Sequence, residues 1–270
     1  APWAAASAAR TSRLALPPGS VHLSDMTEAA RPETKLQIRI VPVTPLQQNC
    51  SLIWDTETKN AVFVDPGGDV DTLMGALKHF GLTLKEMWLT HGHLDHAGAA
   101  HELRERLGVP IIGPHKDDQF WLDQIEDSAA KYGLDGLKNV TPDRYLEDGD
   151  VLELEGVKFD VSHTPGHTPG HVVIHNRQAH IAFVGDVLFQ GSIGRTDFPR
   201  GNHQQLIDSI TGKLWPLGDD MTFVPGHGPT STFGQERRTN PFVADELTGY
   251  GGAEKHEGST YDQKTAKRYT

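Results

Sequence analysis

Apolar and polar residues alternate through residues 35–43, the period of a strand with one buried face. Short apolar runs at 51–54 and 61–64 predict two more strands, joined by a turn-rich stretch and stopped by Pro66-Gly67-Gly68. The spacing then changes. Val70, Leu73, Met74, Leu77 and Phe80 recur at helical intervals, and Gly81 closes that helix. A strand is predicted at 85–90, a helix at 97–107 and a strand at 109–112, with an irregular helical stretch at 116–138. Strand patterns return at 151–154, 158–162, 172–175 and 181–184, followed by a helix at 202–211 and a strand at 221–224.

Strands interleaved with helices in both halves predict an α/β (α+β) chain with two mixed sheets, packed face to face and covered by helices. The globular part is expected at 36–246. Residues 1–35 read as a disordered N-terminal extension: Ala, Ser, Pro and Arg dominate, and the first acid is Asp25. A transit segment for organellar import or an upstream extension ahead of Met26 fits the same composition. Residues 247–270 are rich in Gly, Lys and Thr and read as a loose tail.

Composition narrows the function. Among 270 residues there is one cysteine, Cys50, so no intrachain disulfide forms and the chain suits a reducing compartment such as the cytoplasm. Cys50 itself reads as a buried strand residue. A net charge of −11 argues against nucleic acid or an anionic membrane as partner. No apolar run approaches the ~18 residues of a membrane span. Fifteen histidines are many for this length, and most stand beside Gly, Pro, Asp or Thr.

The densest cluster is Thr90-His91-Gly92-His93-Leu94-Asp95-His96, after an apolar strand and before a helix. His91 and His93, two apart in extended chain, point the same way. Asp95 and His96 open the helix, so this spacing serves two ions, one per pair. The bland reading makes Asp95 an N-cap. A second cluster is His163-Thr164-Pro165-Gly166-His167-Thr168-Pro169-Gly170-His171, where any histidine could ligate and His163 or His171 could instead bond only to backbone. Gly185-Asp186 and Pro225-Gly226-His227-Gly228-Pro229 each follow a strand. Alone, Asp186 reads as a strand-end turn former. The four segments strengthen one another, because strand ends along one sheet edge converge. Carboxylates and imidazoles without thiolate suit Zn, Fe or Mn.

These segments, in order and spacing, resemble the metallo-β-lactamase superfamily. Gln48-Asn49-Cys50, Asp65-Pro66-Gly67-Gly68, Gly185-Asp186-Val187-Leu188-Phe189 and Gly194-Arg195-Thr196-Asp197-Phe198 resemble its glyoxalase II (hydroxyacylglutathione hydrolase) group, in the short bacterial form without a C-terminal helical domain. The resemblance implies an αββα sandwich with two metal ions, zinc first and iron or manganese as alternatives. It implies His91, His93 and His167 on one ion, Asp95, His96 and His227 on the other, and Asp186 bridging. It implies a small glutathione thioester, S-D-lactoylglutathione, as substrate, with Arg195 as a glutathione contact. Metal ions lower the pKa of water toward ~7, so a hydroxide between them would attack the thioester beside Asp95 and Asp186. The bland reading of Arg195 is a surface ion pair.

Rival readings share the fold. A persulfide dioxygenase would hold one iron with His91, His167 and Asp186. It leaves the second set unused, and His171 stands where the compared dioxygenases carry cysteine. A lactonase or esterase on the same metal pair, and a protein that only stores or senses metal, complete the alternatives.

Overall fold

The structure is a computed structural model and describes residues 35–134 and 136–250. The expected extension at 1–35 lies outside the described residues but for Lys35, and so does the tail beyond Tyr250.

Strands β1 (Leu36–Val43), β2 (Gln48–Asp55), β3 (Asn60–Val64), β4 (Thr83–Trp88) and β5 (Ile111–Ile112) form one sheet in that order. The second sheet has the order β13 (Ser231–Thr232), β12 (Thr222–Pro225), β9 (Ile181–Gly185), β8 (Val172–Asn176), β7 (Val157–His163), β6 (Val151–Leu154). A small hairpin, β10 (Leu188–Phe189) with β11 (Ser192–Ile193), stands apart. Both sheets are mixed: β3 runs parallel to β4, and β9 parallel to β12, among antiparallel neighbours.

The alternation of side chains across each strand builds three layers. Leu52, Phe63 and Met87 face outward, against Leu73 and Leu77 of α1 (Val70–Phe80) and Leu103 of α3 (Ala100–Leu107). Their neighbours Ile53, Val62, Val64 and Trp88 face inward and meet Phe159, Val161, Val172, Ile174 and Phe183 of the second sheet. Trp88 and Phe159 touch edge to face with centroids 5.3 Å apart. On the far side Val173, Ala182, Val184 and Phe223 pack under Leu206 of α6 (His203–Ser209) and Phe233 of α7 (Phe233–Thr239). Because β8 and β9 are covered on both faces, every residue of each is buried, and Val172–Ile174 and Ile181–Val184 are apolar without alternation. The αββα sandwich expected from the sequence is the fold found.

Local differences have physical causes. The helix expected at 97–107 is two helices, α2 (Leu94–Ala97) and α3, because Ala99 turns away to bond Pro66 O (3.0 Å). The metal-type residues Asp95 and His96, expected to open the helix, sit within the short α2. The stretch 116–138 is a 3-10 turn (Lys116–Asp118), α4 (Gln119–Leu122) and α5 (Ile125–Tyr132). Hairpin β10–β11, strand β13 and helix α7 were not predicted. Two-residue strands are too short to show alternation, and α7 starts from a Thr232 cap, whose hydroxyl accepts from Gln235 N at 3.2 Å. The residues 245–248 form a last helical turn, α8 (Asp245–Thr248), and Tyr250 lies under the Arg237 guanidinium.

One buried group away from the sheet edge titrates abnormally. His175, on β8, has Nε2 3.1 Å from Ser162 Oγ, and its Nδ1 is buried without a partner. Burial pushes its pKa from 6.5 down to about 4, Arg177 adding to the effect and Asp160 opposing it. Below pH 6.5 the unfolded chain takes up a proton that the folded chain refuses until about pH 4. This contribution to stability is thus present above pH 6.5 and lost as pH falls through that window, at up to ~1.4 kcal/mol per pH unit. His175→Gln cannot titrate and should lose less stability than wild type between pH 7.5 and 5, as read by denaturant melts at fixed metal concentration. Equal losses would show that His175 is not a source of the acid sensitivity.

Candidate metal centre

Parallel pairing sets the C-terminal ends of β3 and β4 side by side, and those of β9 and β12 likewise. Asp65 follows β3, His91 lies just past β4, Asp186 follows β9 and His227 follows β12. The loop carrying His167 leaves β7 and returns at β8. All seven residues singled out as ligands meet at this edge.

Among the described residues three groups have ligand atoms within 4.8 Å of one another: two separate triads, His91, His93 and His167, and Asp95, His96 and His227, and a third, Asp65, His91 and His96, that shares a residue with each. In the first, His93 Nδ1 lies 3.2 Å from His91 Nε2 and 3.1 Å from His167 Nε2. Tetrahedral nitrogens at ~2.1 Å from a zinc ion would stand ~3.4 Å apart, close to these values. In the second, His227 Nε2 lies 3.1 Å and His96 Nε2 3.9 Å from Asp95 Oδ2. Asp186 reaches between them: Oδ2 is 3.6 Å from His167 Nε2 and 3.8 Å from His227 Nε2, while Oδ1 is 3.3 Å from His96 Nε2.

Outer partners fix which nitrogen of each ring is free. Thr90 Oγ1 donates to Asp65 Oδ2 (2.6 Å), so it accepts from His91 Nδ1 (3.1 Å). His96 Nδ1 donates to Asp65 Oδ2 at 2.9 Å. The Nδ1 atoms of His167 and His227 donate to the carbonyls of Arg195 (2.7 Å) and Leu46 (3.2 Å). All four rings thereby turn an Nε2 lone pair into the cleft, the orientation metal-binding imidazoles take. His93 offers Nδ1 instead.

The cleft fits metal ions on its own terms. His96 Nε2 and Asp186 Oδ1 are buried without a hydrogen bond; they are near each other but not aligned as one. Buried polar atoms left so are costly, and a cation between these donors would satisfy both. Burial sets the protonation of the first triad. It pushes His91 well below its ordinary value and His93 down to about 3, with neighbouring imidazoles adding to the effect, so both stay neutral and able to coordinate. At His96 burial works the same way, but the carboxylates of Asp186 and Asp95 outweigh it and raise the pKa. Asp186 shows the converse: burial would raise its pKa, and the surrounding imidazoles hold it far below the carboxylate range. Proton and metal thus compete for His96. Backbone crowding closes the floor: a Cβ on Gly226 would stand 2.1 Å from Asp186 Oδ1 and 2.5 Å from His96 Cε1.

Asp65 and Asn49 had no role assigned from sequence, and His171 bonds to backbone, the alternative to ligation that the sequence left open. Asp65 accepts from Thr90 N (2.7 Å) on Oδ1 and from Thr90 Oγ1 and His96 Nδ1 on Oδ2, so most of its acceptor capacity is spent behind the ligands, although it also lies near His91 and His96. The signal was an acid in the Asp-Pro-Gly-Gly turn. His171 accepts from Asp186 N at 3.1 Å and stacks on His91 with centroids 4.7 Å apart. Asn49 Nδ2 donates to Pro225 O (3.0 Å) and Gly228 O (2.9 Å), bracing the His227 loop. His163 faces elsewhere, its Nε2 2.9 Å from Pro169 O. Arg195 lies on the rim, 57 % exposed, bonded through two nitrogens to Asp197 (2.7 and 2.6 Å) and 4.0 Å above the Phe198 ring.

Residues 43–227 match the model of the metallo-beta-lactamase superfamily, and the chain belongs to that superfamily. Within it, the chain is 49% identical over 209 residues to the hydroxyacylglutathione hydrolase GloC of Haemophilus influenzae, covering 77% of this chain and 98% of that protein. Its fold is similar to that of the BLEG-1 B3 metallo-beta-lactamase (37% identity, TM-score 0.70) and to TTHA1623 in a di-iron-bound form (38% identity, TM-score 0.69). Each covers 76% of this chain and 99% of the other. Family and relative make the chain a metal-dependent hydrolase. No helix among the described residues is long and apolar enough to cross a membrane.

Since Asp186 reaches toward both triads, Asp186→Ala should lower metal content at both positions while the fold is retained. Elemental analysis alongside circular dichroism reads this; a variant that keeps two ions per chain would make Asp186 a turn former only.

Proposed function

We propose that this chain hydrolyses a glutathione thioester, S-D-lactoylglutathione, to D-lactate and glutathione, using two divalent ions. The observation that carries the reading is the pair of complete triads with Asp186 between them. His91, His93 and His167 would hold one ion and Asp95, His96 and His227 the other, with zinc first and iron or manganese as alternatives. Bound there, divalent ions supply an acidified water as nucleophile near neutral pH and polarise a carbonyl. The chain's own residues do the rest. Asp65, Thr90 and two backbone carbonyls orient the imidazoles of His91, His96, His167 and His227. Asp95 and Asp186 would provide negative charge to balance the ions. No serine or cysteine is required as a nucleophile, and Cys50 is buried in β2, its thiol pKa raised by burial.

The similarity to GloC supports the glutathione thioester as substrate class. A one-iron dioxygenase built on His91, His167 and Asp186 leaves the Asp95–His96–His227 triad without a role. Purified protein should carry close to two metal ions and release free thiol from S-D-lactoylglutathione. Oxygen uptake with glutathione persulfide, with no thiol release from the thioester, would replace the hydrolase by the dioxygenase.

Arg195 is proposed to meet a carboxylate of the glutathione moiety, and the substrate must then compete with Asp197 for it. Arg195→Ala should raise KM several-fold with a smaller fall in kcat, the pattern of lost uniform binding. Asp197→Ala frees the guanidinium and should lower KM. Unchanged KM in both variants leaves the hydrolase reading intact and removes this contact.

A further inference from the structure

A third segment of the chain reaches the two loops that carry His91, His93 and His167. It comprises the turn Lys116–Asp118 and the start of α4. Asp118 is fully buried there. Its Oδ2 accepts from Gly92 N (2.8 Å) and Thr168 Oγ1 (2.7 Å), and its Oδ1 from Gly170 N (2.5 Å). Gly92 lies between His91 and His93, and Thr168 follows His167. One carboxylate therefore joins the backbone of the first loop to the second, at positions adjoining all three imidazoles of one triad.

The packing allows no slack. A Cβ on Gly92 would stand 2.8 Å from Asp118 O and from Trp121 Cβ, and a Cβ on Gly170 would stand 2.5 Å from Asp118 N. His115 N donates to Gly170 O at 3.1 Å, and the Trp121 ring meets His93 edge-on with centroids 4.6 Å apart. A buried anion among neutral donors is costly to keep; burial lifts the Asp118 pKa to about 6 even though its three hydrogen bonds pull the other way. The chemistry of the donors explains the carboxylate: three donors converge on two oxygens. An amide would set its own NH2 against one of them. The other triad draws its outer partners from elsewhere, Asp65 for His96 and Leu46 O for His227.

We propose that Asp118 is a positioning residue that holds His91, His93 and His167 at metal-binding separation and leaves the Asp95–His96–His227 position unaffected. The proposal rests on the two-metal reading given above. A residue that merely supports the fold would weaken both positions together with the stability of the metal-free protein. A positioning residue weakens one.

The test is titration of metal-free protein with Zn2+ against a competing chelator, for wild type, Asp118→Asn and Asp118→Ala, with thermal melts of each metal-free chain. Losing a group that hydrogen-bonds a metal ligand weakens affinity about 10- to 100-fold, an upper bound for Asp118, which acts through the backbone beside three ligands. We expect a loss within that bound at one of the two positions in Asp118→Asn, a larger one in Asp118→Ala and an unchanged second position. Thr168→Val removes a single donor and should shift the same position less, which keeps the test informative if Asp118→Ala fails to fold. In a His227→Ala background Asp118→Asn should weaken the remaining site; in a His93→Ala background it should not. Proportional weakening of both positions, or of neither, overturns the positioning role while the two-metal reading stands. A wild type that takes up a single Zn2+ overturns the two-metal reading, and the positioning role with it.

Discussion

The arrangement of the metal centre depends on one buried carboxylate that gathers three hydrogen-bond donors from behind the ligands. Asp65 sits past β3 with a left-handed φ of 54° and accepts from Thr90 N, Thr90 Oγ1 and His96 Nδ1. Because it takes the hydroxyl proton of Thr90, that hydroxyl can only accept from His91 Nδ1. A proton relay of two bonds thus decides the tautomer of His91, and a direct bond decides that of His96. One side chain sets a lone pair in each triad, and it can do so because β3 and β4 run parallel and end together.

Electrostatics and burial then divide the work between the two triads. Burial keeps His91 and His93 neutral, so their lone pairs are available without first losing a proton. The Asp95–His96–His227 triad holds a carboxylate, and Asp186 and Asp95 raise the pKa of His96, so a proton is a stronger competitor for its Nε2. The first triad relies instead on geometry: a threonine hydroxyl, a backbone carbonyl and a neighbouring segment hold its rings. The rim beyond it is aromatic and basic, with Trp121 and Phe198 edge-on to His93 and Arg195 above Phe198.

Much of this was legible in the sequence. The 3.6-residue spacing of Val70 to Phe80 announces a helix and the short apolar runs near 172–174 and 181–184 announce strands, since burial leaves a local imprint. The seven ligand-type residues were legible for a similar reason. Each follows a strand end, often beside Gly or Pro, and their order resembles a known superfamily. Hairpin β10–β11 and the break between α2 and α3 left no such imprint, because two-residue strands have no period and the break is imposed by a bond from Ala99 to Pro66.

The sequence by itself determined the two-sheet sandwich, the class of donor atoms and the segments that supply them, because periodicity and side-chain chemistry are local properties. Only the tertiary structure decided which residues stand behind the ligands. Asp65, His171 and Asp118 are separated from the groups they hold by 15 to 52 positions along the chain. Their roles depend on hydrogen-bond directions between strand ends and loops, and no spacing along the chain encodes a direction in space.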